Sequence, residues 1–328
     1  TICTGVSGLT DFKFSNIHDP KSTFTGEAGN YTLTWTTVRT YTDSNGDTVE
    51  KVCSSNMTVT ITNCGEVNFD GVDDYVDFTN TANTNYDLNN QNFSIEAWVK
   101  SNQQSNQIQT ILSKRNSNNL SGSGYDLRLV NNIISFNWGA GGSIASPYAI
   151  GTDRWYHIAV TFDGGTYKLY IDGIEVANKP GAALLTTTSH SLLGAMHNVD
   201  ASSPKVKTNN FFNGWMDELR IWNVALTPEQ LHQMMNQEIE ASGTAVIGST
   251  VPVLVNGLLW ADLEGYYQMG DDCGFLVPTA GTINGKLRNI FNALEQTAPI
   301  PYTSASDGNW DDMNTWAKPT VWKAPNSA

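Results

Sequence analysis

Hydrophobic and polar residues alternate along most of this chain, which predicts short β-strands with one face packed and the other face exposed. Polar turn dipeptides such as Asp163-Gly164 and Asp172-Gly173 separate consecutive runs, as is typical of antiparallel hairpins. The pattern therefore predicts an all-β fold, a two-sheet antiparallel sandwich. The clearest alternating runs are residues 93–100, 125–129, 133–138, 155–162 and 167–171.

Residues 211–222, Phe-Phe-Asn-Gly-Trp-Met-Asp-Glu-Leu-Arg-Ile-Trp, predict the strand that organises this sandwich. A carboxylate in an apolar row is costly to bury unless it is paired or bound to a cation. The next four residues, Thr-Pro-Glu-Gln at 227–230, predict a short helix, because they combine an N-cap, a first-turn proline and a capping box. A period of two places on one face of the strand Trp215, Asp217, Leu219 and Ile221.

Four motifs occur in one order along the centre of the chain: F-D-G-x-D-D-Y-V at 69–76, W-x-H-x-A-x-T-F-D-G at 155–164, L-Y-I-D-G at 169–173 and G-x-x-D-E-x-R-I-W at 214–222. Together they resemble laminin G-like jelly-roll domains of the concanavalin A-like lectin and glucanase superfamily. The resemblance covers about residues 65–240. It implies a jelly-roll sandwich with a short helix after its closing strand.

The flanking segments predict smaller modules. Residues 1–64 resemble an immunoglobulin-like or PKD-like β module of bacterial surface proteins, truncated in its early strands. Residues 241–303 predict strands added to the jelly roll or a permuted edge of it, and 304–328 a linker and the start of a further repeat. The whole order resembles multidomain surface adhesins of gliding or secreting Bacteroidetes, which implies that this chain is a fragment.

Charge and hydropathy exclude two classes of partner. The chain has 18 Lys and Arg against 32 Asp and Glu, a formal net charge of −14, and no basic stripe that could neutralise nucleic-acid phosphates. No run of eighteen apolar residues predicts a membrane span, and no signal segment opens the sequence, which indicates a mature or excised piece.

The four cysteines contain no C-x-x-C pair, so a zinc site is not expected. Abundant Thr, Asn, Ser and Gly with few Lys favours an extracellular or cell-surface location, where disulfides persist. We expect two disulfides among Cys3, Cys53, Cys64 and Cys273, with Cys64 and Cys273 bracketing the central domain. Four buried free thiols are the alternative.

The family resemblance implies a structural calcium site. In jelly rolls of this family the first and closing strands lie side by side. That arrangement would bring Asp217 to the turn at Asp70 and Gly71, with Asp74 nearby. Calcium prefers such carboxylate and backbone oxygens. The alternatives are that backbone N–H groups or Arg220 satisfy Asp217, and that Asp74 is only a turn residue that bonds its own backbone.

Candidate ligand-binding residues flank the glycine-rich segment 139–143: Trp138, Tyr148 and Tyr125. Sugar rings pack on flat aromatic side chains, although these three could equally be ordinary sandwich aromatics. Paired carboxylates at glycosidase spacing are missing from the sequence, which disfavours an enzyme. The sequence thus predicts a non-catalytic adhesion module that binds a glycan or a surface protein, with secretion or surface-anchoring machinery as a further partner. A structural spacer or an accessory domain of a polysaccharide-degrading enzyme is the alternative.

Overall fold

A computed structural model of the chain describes residues 12–19, 21–26, 29–61, 66–78, 84–89, 92–117, 119–120, 122–139, 141–152, 154–198, 207–272, 275–290, 293–294, 298, 300, 305–309 and 315. The chain divides after residue 64 into two compact units. Within these ranges the structure is built from antiparallel strands with one short α-helix, which confirms the predicted all-β class. No helix in the described part of the chain is long and apolar enough to cross a membrane.

The first unit consists of two β-ribbons: β1 Phe12–Phe14 with β2 Phe24–Gly26, and β3 Gly29–Thr42 with β4 Thr48–Ile61. The turn between β3 and β4 is held by Asp43, whose Oδ1 accepts from the backbone N–H groups of Asn45 and Asp47 at 2.9 and 3.0 Å. The relation of this unit to immunoglobulin-like modules stays a prediction.

Cys53 lies on this long ribbon, opposite Thr37, and its thiol is exposed and free. The expectation of a disulfide at Cys53 is therefore wrong for this structure, because the side chain projects from an exposed strand towards solvent. The other three predicted disulfide residues, Cys3, Cys64 and Cys273, lie outside the described residues.

The remaining strands, numbered on in chain order, are β5 Glu66–Asp70, β6 Tyr75–Asp77, β7 Phe93–Ser101, β8 Gln109–Lys114, β9 Tyr125–Val130, β10 Ile133–Trp138, β11 Gly142–Ala149, β12 Tyr156–Phe162, β13 Thr166–Ile171, β14 Ile174–Pro180, β15 Leu192–Leu193, β16 Met196–Asn198, β17 Lys207–Asn209, β18 Asn213–Trp222, β19 Ile239–Ser242, β20 Ala245–Gly248, β21 Leu254–Leu259, β22 Leu263–Tyr267, β23 Asp271–Asp272, β24 Phe275–Leu276, β25 Ala280–Gly281, β26 Gly285–Arg288 and β27 Ala293–Leu294. The α-helix α1 is Pro228–Met234, and a 3-10 helix covers Trp260–Asp262.

Two large antiparallel sheets form the sandwich. The front sheet has the order β11-β10-β9-β8-β15-β6-β26-β24-β23, and the back sheet has the order β14-β13-β12-β7-β18-β22-β25, with β5 also pairing with β18. Strands β22 and β25 thus extend the back sheet, and β24 and β26 extend the front sheet. The core between the sheets is filled by the alternate inward side chains of both, among them the aromatic group Phe93, Phe136 and Tyr167.

Helix α1 begins as the sequence predicts. The Thr227 hydroxyl accepts from the backbone N–H of Gln230 at 3.2 Å, and the Gln230 amide oxygen accepts from the backbone N–H of Thr227 at 2.8 Å. This reciprocal pair satisfies two N–H groups that the first turn of a helix leaves open. Leu231 and Met234 are buried beneath the helix, against the outer surface of the back sheet.

A β-bulge in β18 changes which residues face the core. Asp217 pairs with Trp98 and Arg220 pairs with Glu96, so two residues of β18, at 218 and 219, face the single β7 residue Ala97. Glu218, with φ of 51°, is one of these two residues. The prediction of one unbroken alternation along β18 is therefore wrong. Trp215 and Asp217 lie on the outer face of the sheet, whereas Leu219 and Ile221 pack in the core.

A buried network of charges holds the outer face of this strand together. Arg220 is ion-paired with Glu218 and lies 3.6 Å from the carboxylate of Glu96. Glu96 also accepts from the Trp222 indole at 3.0 Å and lies 3.1 Å from His157 Nε2. Burial opposes the charge on Arg220, but the two carboxylates outweigh it and raise the pKa of the guanidinium.

Arg220 also binds the end of helix α1. Its Nη1 donates to the carbonyl of Met234 at 3.2 Å, and its Nη2 donates to the carbonyl of Gln237 at 2.7 Å. Trp98 adds a third bond, from its indole N–H to the carbonyl of Met235 at 2.6 Å. The buried network therefore fixes the C-terminal end of the helix on the sheet.

We expect Arg220→Met to lower the free energy of unfolding by about 3–5 kcal/mol at neutral pH, because it leaves two buried carboxylates without their counter-charge. Urea denaturation measures this loss. A matched control is Lys168→Met, whose ion pair with Glu175 spans 3.8 Å between side chains that are 37% and 34% exposed. That change should cost less than about 1 kcal/mol. Equal losses in the two variants would contradict a special role for Arg220.

Candidate functional site

A cleft of ≈ 480 Å³ opens at one edge of the sandwich, within the second unit. Strand β11 of the front sheet, the start of β12, the β13–β14 turn and the end of helix α1 form its walls. The edge strands of the two sheets are joined nearby by Lys179, whose Nζ donates to the carbonyl of Ser143 at 2.9 Å. The cleft is lined by Tyr148, Ala149, Arg154, Tyr156, Ile171, Asp172, Ile174, His232 and Met235.

Arg154 and Asp172 form the polar floor of the cleft. Arg154 Nη2 donates to Asp172 Oδ2 at 2.5 Å, and the guanidinium lies 3.7 Å from the ring centroid of Tyr156. Asp172 Oδ1 accepts from the backbone N–H of His157 at 3.0 Å. Burial lowers the pKa of Arg154, but the charge of Asp172 outweighs it and the net pKa is raised. The guanidinium and the carboxylate are therefore paired and fixed in orientation.

A close backbone approach joins the β13–β14 turn to helix α1. Asp172 and Gly173 have φ of 50° and 77°, the two positive values that a tight Asp-Gly hairpin turn requires. A Cβ at Gly173 would lie 2.4 Å from His232 Cδ2, so a side chain there would displace the imidazole. His232 Nε2 instead donates to the carbonyl of Gly173 at 2.9 Å, which sets the imidazole at the rim of the cleft.

Tyr148 is the exposed aromatic residue of the cleft, at 48% exposure. Its backbone carbonyl accepts from the Ser146 hydroxyl at 2.5 Å, which fixes the end of β11. Partial burial and the negative charge of Asp172 raise the pKa of its phenol, so the hydroxyl is protonated at neutral pH. Tyr148 thus offers an aromatic face and a hydroxyl beside the Arg154–Asp172 pair.

The other two predicted sugar-stacking residues lie in the core. Trp138 is 6% exposed and stacks on Tyr167 with ring centroids 3.9 Å apart, and Tyr125 is 1% exposed with its hydroxyl donating to the carbonyl of Tyr86 at 2.9 Å. The ligand-binding prediction is therefore wrong for Trp138 and Tyr125, because both side chains point into the core between the sheets, where a sugar could not reach them. The alternative, that they are sandwich aromatics, describes them correctly.

The acidic turn between β5 and β6 brings three carboxylates together. Carboxylate oxygens of Asp70, Asp73 and Asp74 all lie within 4.8 Å of one another. Asp70 Oδ1 accepts from the backbone N–H groups of Val72 and Asp73 at 2.7 and 3.2 Å. Asp74 Oδ2 accepts from the backbone N–H of Asp70 at 2.9 Å. In the described part of the chain none of the three forms an ion pair with Lys or Arg.

Mutual repulsion and burial act on these carboxylates. Burial, followed by the charge of Asp70, raises the pKa of Asp74 to about 7, and the same two causes raise the pKa of Asp73. A hard cation would offset this repulsion, and the donor set is all oxygen, as calcium prefers. The residues present therefore fit a calcium ion.

Asp217 does not reach this turn. The register of β5 and β18 places Asn213 opposite Asp70, and the Asn213 amide donates to the carbonyl of Asp70 at 2.9 Å. A Cβ at Gly71 would lie 2.7 Å from the Asn213 side chain, so the closing strand meets the turn through Asn213 and the glycine. Asp217 lies four residues further along β18, roughly 13 Å away at the rise of a strand.

The Asp217 carboxylate is satisfied by backbone donors instead. Its Oδ1 accepts from the N–H of Glu218 at 2.8 Å and its Oδ2 accepts from the N–H of Ala298 at 2.8 Å. Ala298 packs with Trp98 and Trp155 on the outer face of the back sheet. The alternative stated for Asp217, satisfaction by backbone N–H groups, therefore describes its place in the fold.

Sequence reasoning found only Tyr148 among the nine residues that line the cleft, and it missed the four others with polar groups: Arg154, Tyr156, Asp172 and His232. Asp172 and Tyr156 were visible as members of motifs, but the motifs indicate only a turn and a strand. The approach of the helix end to the β13–β14 turn depends on tertiary packing, and no local pattern encodes it. For the acidic turn, the F-D-G-x-D-D spacing was the available signal, and Asp73 joins Asp70 and Asp74 there.

Comparison with known proteins identifies a family for the central part of the chain. Residues 70–232 match the family Laminin_G_3, described as the Concanavalin A-like lectin/glucanases superfamily. A search of curated proteins finds no match.

Solved structures share the fold. A proposed carbohydrate binding protein from Bacteroides ovatus is 17% identical, with a TM-score of 0.51, covering 88% of this chain and 80% of that chain. A heptameric SAP-like pentraxin from Limulus polyphemus is 16% identical, with a TM-score of 0.41 and coverage of 69% and 97%. The sialidase module CBM40 of Ruminococcus gnavus, bound to alpha2,3 sialyllactose, is 14% identical, with a TM-score of 0.41 and coverage of 51% and 94%. At 17% identity the first comparison supports a shared fold and nothing beyond the fold.

We expect Asp217→Asn to lower the free energy of unfolding by about 1–3 kcal/mol, because a buried acceptor of two backbone N–H groups is weakened. The loss should be the same in calcium and in chelator, since Asp217 lies away from the acidic turn. Chemical denaturation of both proteins in both buffers measures it. A loss that appears only in calcium would contradict this placement and restore Asp217 as a metal ligand.

Proposed function

Because residues 70–232 form a domain of the concanavalin A-like lectin/glucanases superfamily, we propose that this chain is a non-catalytic carbohydrate-binding module. The observation that carries the proposal is the cleft beside Tyr148. There an exposed aromatic ring lies next to an ionised donor and acceptor, Arg154 and Asp172, held in fixed orientation.

The chemistry of the cleft suits a sugar. One face of a sugar ring carries C–H groups that pack on an aromatic ring, as Tyr148 could provide. Its hydroxyls need both donors and acceptors, and the guanidinium, the carboxylate and the phenol supply them. A volume of ≈ 480 Å³ lies in the range of about 300–1,000 Å³ usual for small-ligand sites.

The same lining favours binding over hydrolysis. Glycoside hydrolysis needs two carboxyl groups, one on each side of the scissile bond. Asp172 is the single carboxylate among the described residues that line the cleft, and Arg154 and the backbone of His157 already engage both of its oxygens. We therefore propose recognition of a glycan without cleavage, outside the cell or at its surface, where adhesion to a glycan or a glycosylated partner takes place.

We propose in addition that calcium stabilises the domain at the acidic turn. Asp70, Asp73 and Asp74 would supply carboxylate oxygens, and the ion would neutralise their repulsion. Asn213 and Asn289 tie this turn to β18 and to the residue after β26, through bonds of 2.9 and 3.0 Å to the carbonyls of Asp70 and Asp73. An ordered turn there would stabilise the start of β18 in the back sheet.

We expect Tyr148→Ala to weaken glycan binding at least about tenfold, because the ring supplies the packing surface for the sugar. A glycan array followed by calorimetry on its strongest hits measures the change. Tyr41→Ala is the matched control, since Tyr41 is 52% exposed on the ribbon of the first unit and should leave binding unchanged. A folded protein that binds no glycan on the array would contradict the proposal and favour a structural spacer.

We expect millimolar calcium to raise the melting temperature by at least about 4 °C over chelator, equivalent to roughly 1–2 kcal/mol. Asp74→Asn should remove most of this difference. The control is Asp163→Asn, an exposed turn carboxylate that caps the backbone N–H groups of Gly165 and Thr166 and should keep the calcium response. An identical melting temperature in calcium and chelator for the unaltered chain would rule out the site.

A further inference from the structure

The charge state of the cleft bears on which sugars it can hold. Arg154 is its fixed cation, and three contacts within the protein hold the guanidinium in place. Nη2 is bonded to Asp172 at 2.5 Å, Nη1 donates to the carbonyl of Trp155 at 3.2 Å, and the guanidinium lies 3.7 Å from the ring centroid of Tyr156. The side chain is buried in this arrangement, so it cannot swing out to form a two-bond fork with a ligand carboxylate.

The Arg154 charge is also cancelled where a ligand would feel it. Asp172 sits at a hairpin turn, and its two oxygens accept from the guanidinium and from the backbone N–H of His157, which fixes the carboxylate against Arg154. At the Tyr148 hydroxyl the negative charge of Asp172 acts more strongly than the positive charge of Arg154, and both follow partial burial as causes of the raised pKa of the phenol. With one guanidinium paired to one carboxylate, the polar side of the cleft is close to neutral.

The other residues that line the cleft add no fixed positive charge. His232 at the rim donates its Nε2 hydrogen to the carbonyl of Gly173, and the remaining lining residues are uncharged. The whole chain has a formal net charge of −14, which opposes the approach of anions at low ionic strength.

We infer that the cleft selects uncharged sugars and rejects acidic ones, such as sialic acids and uronates, because its one fixed cation is already neutralised by Asp172. This inference rests on the proposed glycan-binding function. An acidic sugar would have to give up its hydration without gaining a counter-charge, whereas a neutral sugar can bond its hydroxyls to a fixed donor and acceptor pair.

Matched pairs of neutral and acidic oligosaccharides test the inference. We would measure binding of lactose against 3′-sialyllactose, galactotriose against trigalacturonate and cellotriose against its uronate counterpart, by calorimetry at physiological salt. The neutral member of every pair that binds should be at least about tenfold tighter, the expected penalty for a charge without a partner.

A variant that adds a positive charge to the cleft wall gives a second test of the inference. Ile174 lies on the cleft wall and is 43% exposed, so Ile174→Lys adds a cation there and leaves Tyr148 in place. It should raise the affinity for the acidic member of a pair several-fold. Val277→Lys is the matched control, since Val277 is 43% exposed and follows β24, near the opposite end of the front sheet from the cleft strand β11. That variant adds the same bulk charge and should leave the ratio of affinities unchanged.

The outcomes separate the two claims. If an acidic member binds as tightly as its neutral partner, and Tyr148→Ala removes that binding, the charge inference is overturned while the carbohydrate-binding function stands. If binding occurs but Tyr148→Ala and Ile174→Lys both leave it unchanged, the cleft is the wrong site and the inference falls with it. If no pair binds to the folded chain, the proposed function itself is overturned.

Discussion

The ion pairs of Arg220 are the interaction on which the rest of the second unit depends. Two carboxylates, from Glu96 and Glu218, meet one guanidinium on a face of the sheet that water does not reach. Such a group is tolerable only when its carboxylates have a counter-charge and hydrogen-bond donors, and the bulge at Glu218 brings the second carboxylate to the side of the guanidinium. The same guanidinium then binds the last carbonyls of helix α1. Arg220 therefore fixes both which side chains of β18 face outward and where helix α1 lies on the sheet.

The cleft is a consequence of that docking. Because the helix end is fixed on the sheet, His232 reaches the carbonyl of Gly173, and Met235 lines the wall opposite Tyr148. The Asp172-Gly173 turn contributes the carboxylate that orients Arg154. A packing constraint on one side of the back sheet therefore produces a preformed cleft at the edge of the sheet, where Asp172 supplies the counter-charge of Arg154. Preformed sites of this kind lose little free energy to ordering when they bind.

The fold was largely predictable from local pattern, and the site was not. Alternation and the Asp-Gly turns predict the strands, and Thr227 to Gln230 predicts the helix start, because each depends on neighbours a few residues away. A two-residue period has no way to signal the bulge, so Leu219 and Asp217 were placed on one face when they lie on two. Trp138 and Tyr148 look alike beside a glycine-rich segment, yet only the closure of the sandwich decides that the first is core and the second exposed.

The central claim, that a neutral glycan binds beside Tyr148, is tested most directly by nuclear magnetic resonance of methionine methyl groups. Met235 lines the cleft, whereas Met57 lies on the ribbon of the first unit and Met216 lies in the core of the sandwich. The chain would be titrated with the neutral oligosaccharide that binds best. The account predicts saturable shifts of the Met235 methyl signal with little change at Met57 or Met216. Shifts at either of those two residues with an unmoved Met235 signal would contradict it.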